Sequence, residues 1–121
     1  MHTLYRMQST LDGRGPYRPG LTKHWVDRES HRPVPTDVLT AFGLEWKSDI
    51  PKGWYCGCAC RSLETLLQWF TAVELQRLSE MGYSVVEFNA DKIVREDGMQ
   101  VIFAKRLPLT DGVKVISLVD A

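Results

Sequence analysis

Between Gly53 and Phe103 a strand signal, two capped helix signals and a run of further strand signals follow one another without interruption, and that order leaves few folds open. Gly53-Trp54-Tyr55-Cys56-Gly57-Cys58 has the composition of a short strand. Ser62 is a natural N-cap, because its hydroxyl can accept from an amide of the first helical turn. Behind it Leu63, Leu66, Leu67 and Phe70 recur at the i, i+3, i+4, i+7 spacing of one buried helical stripe. Thr71 and Glu74 then form a T-x-x-E capping box ahead of Val73, Leu75 and Leu78, and Gly82 supplies the left-handed residue that ends the second helix. Tyr83 to Phe88 reads as a strand. Lys92-Ile93-Val94-Arg95 and Met99-Gln100-Val101-Ile102-Phe103 flank the turn Glu96-Asp97-Gly98 as a hairpin, and Val113 to Val119 adds a last strand after Asp111-Gly112. The expected class is therefore α+β, a small and mostly antiparallel sheet with two consecutive helices packed on it.

The amino-terminal half is less regular. Thr3 to Met7 is β-compatible, with Leu4 and Arg6 on one face and Tyr5 and Met7 on the other, and an arginine placed in this way calls for a partner. Asp12-Gly13-Arg14-Gly15-Pro16-Tyr17-Arg18-Pro19-Gly20 combines glycines with donor-less prolines, the mark of an exposed, constrained loop from which Arg14 and Arg18 project. From Leu21 to Pro51 periodicity fails. Pro33 and Pro35 keep their neighbours extended, and one short helix, Asp37 to Phe42, is stopped by Gly43. A connection of this length inside a small domain reads as a lid or binding loop. Trp25, His31 and Trp46 lie within it, and the favoured reading of both tryptophans is cover for the core.

At 121 residues with 44% apolar side chains, the chain is sized for one domain spanning 1–121. Fifteen Lys and Arg balance fifteen Asp and Glu, so no global field draws it to nucleic acid or anionic lipid. No run approaches the roughly 18 apolar residues of a membrane span, and the start Met1-His2-Thr3 lacks the regions of a secretory signal. Three cysteines within five residues, Cys56, Cys58 and Cys60, do not make a stapled secreted scaffold. The expected location is cytoplasmic.

Three chemical hypotheses follow from the residues. Cys56, Cys58 and Cys60 share a strand face and, with His24 or His31, have the donor types of a zinc site; yet a C-x-C-x-C strand spreads its sulfurs over about 13 Å, whereas structural zinc takes a tight knuckle. Buried small side chains are the favoured reading, and no metal is expected. Cys60 just ahead of the cap Ser62 is a candidate nucleophile if a histidine from the long loop reaches it. Finally, Arg6, Arg14 and Arg18 could offer guanidinium forks to a phosphate beside the glycines of the 12–20 loop, although the run matches neither the P-loop nor the dinucleotide fingerprint.

Leu4-Tyr5-Arg6, Asp12-Gly13-Arg14-Gly15-Pro16-Tyr17, Gly57 ahead of Ser62-Leu63-Glu64-Thr65-Leu66 with Trp69-Phe70, and Gln100-Val101-Ile102-Phe103 together resemble a group of small phage and prophage proteins. More remotely, the order of elements is similar to the ADP-ribosyltransferase superfamily. That resemblance implies an ADP-ribosyltransferase-like fold and NAD as cofactor. It places Arg6 where an arginine of the first strand holds NAD, Tyr55 where a polar or aromatic residue leads into the helix, and Gln100 where a late strand carries a glutamate. Arg6 and Gln100 then stand at the catalytic positions, while Arg6, Arg14, Tyr17 and Tyr55 bind the cofactor. Gln100 in the glutamate position implies nucleotide binding with degenerate catalysis unless Glu96 or Glu87 takes over the role, since an amide is no general base.

The alternative is a non-enzymatic factor that occupies a host protein, including a host-defence protein, through Trp25, Trp46 and Tyr17 as interface anchors. The nucleotide reading carries one spatial requirement: Arg6 and Gln100 must meet at a common hollow roofed by the 12–20 loop.

Overall fold

The computed structural model describes residues 1–29, 32 and 34–118. His31, Pro33 and the end of the last expected strand at Val119 lie outside the described residues. In chain order the elements are β1 (His2–Ser9), α1 (Val38–Phe42), β2 (Tyr55–Ala59), α2 (Leu63–Leu67), α3 (Ala72–Glu80), β3 (Tyr83–Ala90), β4 (Lys92–Glu96), β5 (Val101–Lys105) and β6 (Lys114–Val115).

The strands form two three-stranded antiparallel sheets, β1-β3-β6 and β2-β5-β4, where the sequence leads one to expect one. The division follows from the corner between β3 and β4. A single residue, Asp91, separates them; its amide donates to the Ala104 carbonyl and its carboxylate accepts from the Arg106 amide, which fastens the corner to the end of β5. The chain therefore turns away from β3 instead of folding back on it, and β4 pairs with β5 through the Glu96-Asp97-Gly98 turn. β1 finds its partner far along the chain, running the full length of β3 from His2 opposite Ala90 to Ser9 opposite Tyr83. One bridge joins the sheets, where Tyr5 and Cys60 exchange both backbone hydrogen bonds at 2.8 Å.

The two helices pack on the first sheet, α2 against β1 and α3 against β3. Their caps are those the sequence specifies. Ser62 accepts from the Thr65 amide, and Thr71 with Glu74 forms the reciprocal capping box. Gly82, at φ 87°, follows the last helical turn. Asp37 caps α1 by accepting from the Thr40 amide.

Alternation along β1 divides the core. Met7 enters a cluster with Trp25, Leu66, Trp69, Phe70 and Leu78 beneath the helices. Leu4 enters a second cluster with Val86, Phe88 and Phe103 between the sheets. A third, outer cluster places Ile102 and Val94 beneath Phe42, Trp46 and Ile50 from the long connection. Trp25 is fully buried and its indole donates to the Pro16 carbonyl at 3.1 Å, so it is core cover and not an exposed anchor. Trp46 is half-buried and donates to the Gly43 carbonyl. Among the described residues β6 is shorter than the expected 113–119 strand: it covers Lys114 and Val115, and the Ile116 amide still donates to the Val85 carbonyl at 2.9 Å.

Candidate functional site

Arg6 shares the face of β1 that carries Leu4, and its guanidinium lies over the Phe103 ring at 5.3 Å from the centroid. Two glycines make room for it. A Cβ at Gly57 on the neighbouring β2 would land on NH1 of Arg6, and one at Gly15 would come within 3.3 Å of NH2. The residue is only 6% exposed, yet its Nε and NH1 have no hydrogen-bond partner and it forms no ion pair among the described residues. Burial pushes the guanidinium down to about 10, with the nearby Cys58 and Cys56 thiols working in the opposite direction, so it stays charged at neutral pH. A cation removed from water without an acceptor costs stability, and such a group calls for an explanation.

The explanation is a cavity. Arg6 and Gln100 both line a hollow of about 430 Å³, and Gly15, Pro16 and Tyr17 of the 12–20 loop form part of its wall. That volume falls in the roughly 300–1,000 Å³ range of small-molecule sites. One side is aromatic: Tyr17 stacks on Phe70 at 6.0 Å with 28° between the planes and meets Trp25 edge-on at 5.2 Å. Burial raises the Tyr17 phenol above its ordinary value, and the charge of Arg32 opposes this, so the hydroxyl stays protonated in the physiological range.

Across from the aromatic side, Gln100 ties down the segment leading into α1. Its Nε2 donates to the Thr36 carbonyl at 2.6 Å, and its own amide donates to Asp97 Oδ1 at 2.9 Å. Thr36 and Asp37 line the cavity as a result. Gln100 keeps Oε1 and a second N–H for an occupant. Asp37 is the one acid among the described lining residues, and Oδ2 of its carboxylate accepts from both the amide and the hydroxyl of Thr40.

Arg6, Gln100 and Tyr17 thus come together as expected, but two other expected residues do not line the cavity. Arg14 is turned outward because Asp12 accepts from its amide and Ser9 donates to its carbonyl, an arrangement that leaves its side chain in solvent. Arg18 lines the cavity in its place, its NH2 donating to the Tyr83 hydroxyl at 2.8 Å. Tyr55 stands at the outer end of β2 opposite Lys105, one pleat short of Gly57, and is 42% exposed. Neither glutamate substitutes for Gln100: Glu96 pairs with Arg61 on the surface, and Glu87 sits within β3 opposite Tyr5 and Lys114.

The three cysteines do not share one environment. Cys58 packs against the third cluster and lines the cavity, whereas Cys60 is buried in the first cluster with its thiol donating to the Met99 carbonyl. Burial pushes all three thiols up, Cys60 to about 12, which is the wrong direction for a nucleophile. Among the described residues no three His, Cys, Asp or Glu side chains gather as a candidate metal group.

Trp69 is a lining residue to which the sequence assigns no role in the site. It is 4% exposed and its indole N–H has no partner. Nothing in the Trp69-Phe70 pair distinguishes an indole that borders a cavity from one that only packs.

The model of one protein family, described as Bacteriophage T4 Y00F protein, matches residues 1–111. The chain belongs to this family. The match to the Y00F family takes in every lining residue of the cavity. No curated protein and no solved structure matches the chain. Among the described residues no helix is long and apolar enough to cross a membrane.

Proposed function

We propose that this Y00F-family protein binds a phosphate-bearing nucleotide in the Arg6 cavity, and that the nucleotide is NAD, held in the manner of an ADP-ribosyltransferase within the host cytoplasm. The observation that carries the reading is a buried, charged guanidinium with unused donors in a cavity that Gln100 and Tyr17 also line. Arg6 supplies charge and planar donors for the diphosphate. Tyr17, already stacked on Phe70, offers a ring face to a planar heterocycle, and Gln100 offers Oε1 to a ribose hydroxyl.

The same wall chemistry favours binding without transfer. The Gln100 amide cannot serve as a base, and the Asp37 carboxylate is tied to the cap of α1. Thermal unfolding with and without millimolar NAD tests the reading, since a ligand that selects the folded state stabilises it by about 2.7 kcal/mol at a hundredfold excess over Kd. A rise of several degrees that disappears in Arg6→Met is the expected result. An unchanged melting temperature with no calorimetric heat of binding overturns it.

The host-protein reading draws on a different surface. Val34, Leu39 and Leu44 are each more than half exposed around α1. A stoichiometric partner recovered from host lysate that survives Arg6→Ala and Gln100→Ala, but not Leu39→Asp, would favour that second reading.

A further inference from the structure

Elsewhere among the described residues the buried polar side chains are satisfied. Gln8 donates to the Leu109 carbonyl, Lys105 to the Asp111 carbonyl, and the fully buried Glu74 accepts from the amides of Asp27 and Thr71. Against that background, the buried side-chain nitrogens without a hydrogen-bond partner among the described residues are Nε and NH1 of Arg6, Nε of Arg18 and Nε1 of Trp69. All belong to residues that line the same cavity. These lining residues come from three parts of the chain: β1, the 12–20 loop and the junction between α2 and α3. Each is a donor. An indole N–H cannot accept, and neither can a guanidinium, so only an acceptor-rich occupant complements all of them.

The charge points the same way. Neither Arg6 nor Arg18 forms an ion pair among the described residues, and what accepts from Arg18 is the Tyr83 hydroxyl, not a carboxylate. Against these two cations stands one carboxylate among the described lining residues, that of Asp37, which already accepts from Thr40, so the lining keeps a net positive charge and favours an anion over a neutral sugar or a metal ion. We infer that Arg18 and Trp69 are ligand-binding residues alongside Arg6, and that the group they hold is an oxyanion of the phosphate class. The inference rests on the cavity used for the nucleotide reading but does not require NAD. Inorganic phosphate, pyrophosphate and the diphosphate of a nucleotide share the chemistry.

Calorimetric titration of the full chain with sodium phosphate, pyrophosphate, ADP-ribose and NAD separates these sources. Trp69→Phe keeps a ring and removes the N–H, Arg18→Gln removes the charge, and Arg14→Gln removes an arginine outside the cavity. The expected result is at least tenfold weaker binding of the preferred anion in Trp69→Phe and Arg18→Gln, and less than twofold change in Arg14→Gln. Because Trp69→Phe could disturb packing, a second readout uses the unaltered protein: the indole N–H resonance of Trp69 should shift on titration with that anion.

If phosphate or pyrophosphate binds with these losses while NAD does not, the inference stands and the nucleotide reading falls. If NAD binds through Arg6 but both variants and the indole resonance are indifferent, the inference falls and the nucleotide reading stands. Failure of all four compounds to bind overturns both.

Discussion

The contact between Arg6 and Gly57 is where sequence, packing and function meet at a single pair of residues. Gly57 is glycine because a guanidinium occupies the space of its missing Cβ, not because its backbone needs an unusual angle. Adding the methyl in Gly57→Ala forces either the guanidinium or β2 to move, and overpacking of this kind costs about 1–3 kcal/mol. Arg6→Met removes a buried charge whose Nε and Nη1 have no hydrogen-bond partner among the described residues, and keeps an unbranched apolar chain beneath it. The ligand-free protein should become more stable, as it does when function has been maintained at the expense of stability. In Arg6→Met/Gly57→Ala the methyl meets a flexible thioether, so the two effects should depart from additivity by about 0.5–3 kcal/mol. Urea unfolding of the four proteins measures this. A destabilised Arg6→Met would mean that the guanidinium is a satisfied structural group. Of this pair only Arg6 was legible in the sequence, because a charged residue on the apolar face of a strand is anomalous by itself. The need for Gly57 comes from across the sheet, and no local pattern carries it.

At the scale of elements, the capping box of α3 shows the same division. Thr71 and Glu74 announce a helix start by their spacing alone, and both reciprocal hydrogen bonds are present at 3.1 and 2.9 Å. What the spacing does not announce is that the Glu74 carboxylate also accepts from the Asp27 amide at 2.8 Å and from the Arg32 guanidinium, which fastens the long connection against the helix and holds Trp25 in the core. Thr71→Ala removes one cap hydrogen bond and should cost about 1 kcal/mol. Glu74→Ala removes a fully buried carboxylate together with its hydrogen bonds to the Asp27 and Thr71 amides and its pairing with Arg32, and leaves both amides without this acceptor; the loss should be about 3 kcal/mol. Chemical denaturation of the two variants decides the point, and equal losses would reduce Glu74 to a helix cap. The sheets divide along similar lines. The β4–β5 hairpin is written locally in its turn residues, whereas no period in the sequence encodes the pairing of β1 with β3 or the split at Asp91. Likewise Arg18 rather than Arg14 reaches the cavity because of a backbone turn at Asp12, which composition does not specify.

The molecule as a whole buries the Cys60 thiol and partly buries those of Cys56 and Cys58, and this gives its stability an alkaline limit. Burial, reinforced by Cys58 and the charge of Asp97, raises the Cys60 thiol to about 12, while in the unfolded chain it returns to its ordinary value of about 9. Between those values the unfolded state has released its proton and the folded state has not. The unfolded state therefore binds fewer protons, and stability must fall as pH rises. Cys56 and Cys58 act in the same sense, both raised first of all by burial. Lys105 acts in the opposite sense, because burial lowers its ammonium, so the folded state loses that proton before the unfolded state does. The total slope mixes these contributions, and a comparison with Cys60→Ala isolates one of them. The stability difference between the unaltered protein and Cys60→Ala should be constant below about pH 8 and should shrink steadily from about pH 9 toward pH 12, as seen in denaturation midpoints at each pH. Below pH 8 the folded protein should also react with iodoacetamide more slowly than the urea-unfolded chain. A difference that stays flat through pH 11, or a folded thiol that outpaces the unfolded one, would show that Cys60 titrates freely and that the bridge between the two sheets at Tyr5 and Cys60 opens far more often than its closed geometry implies.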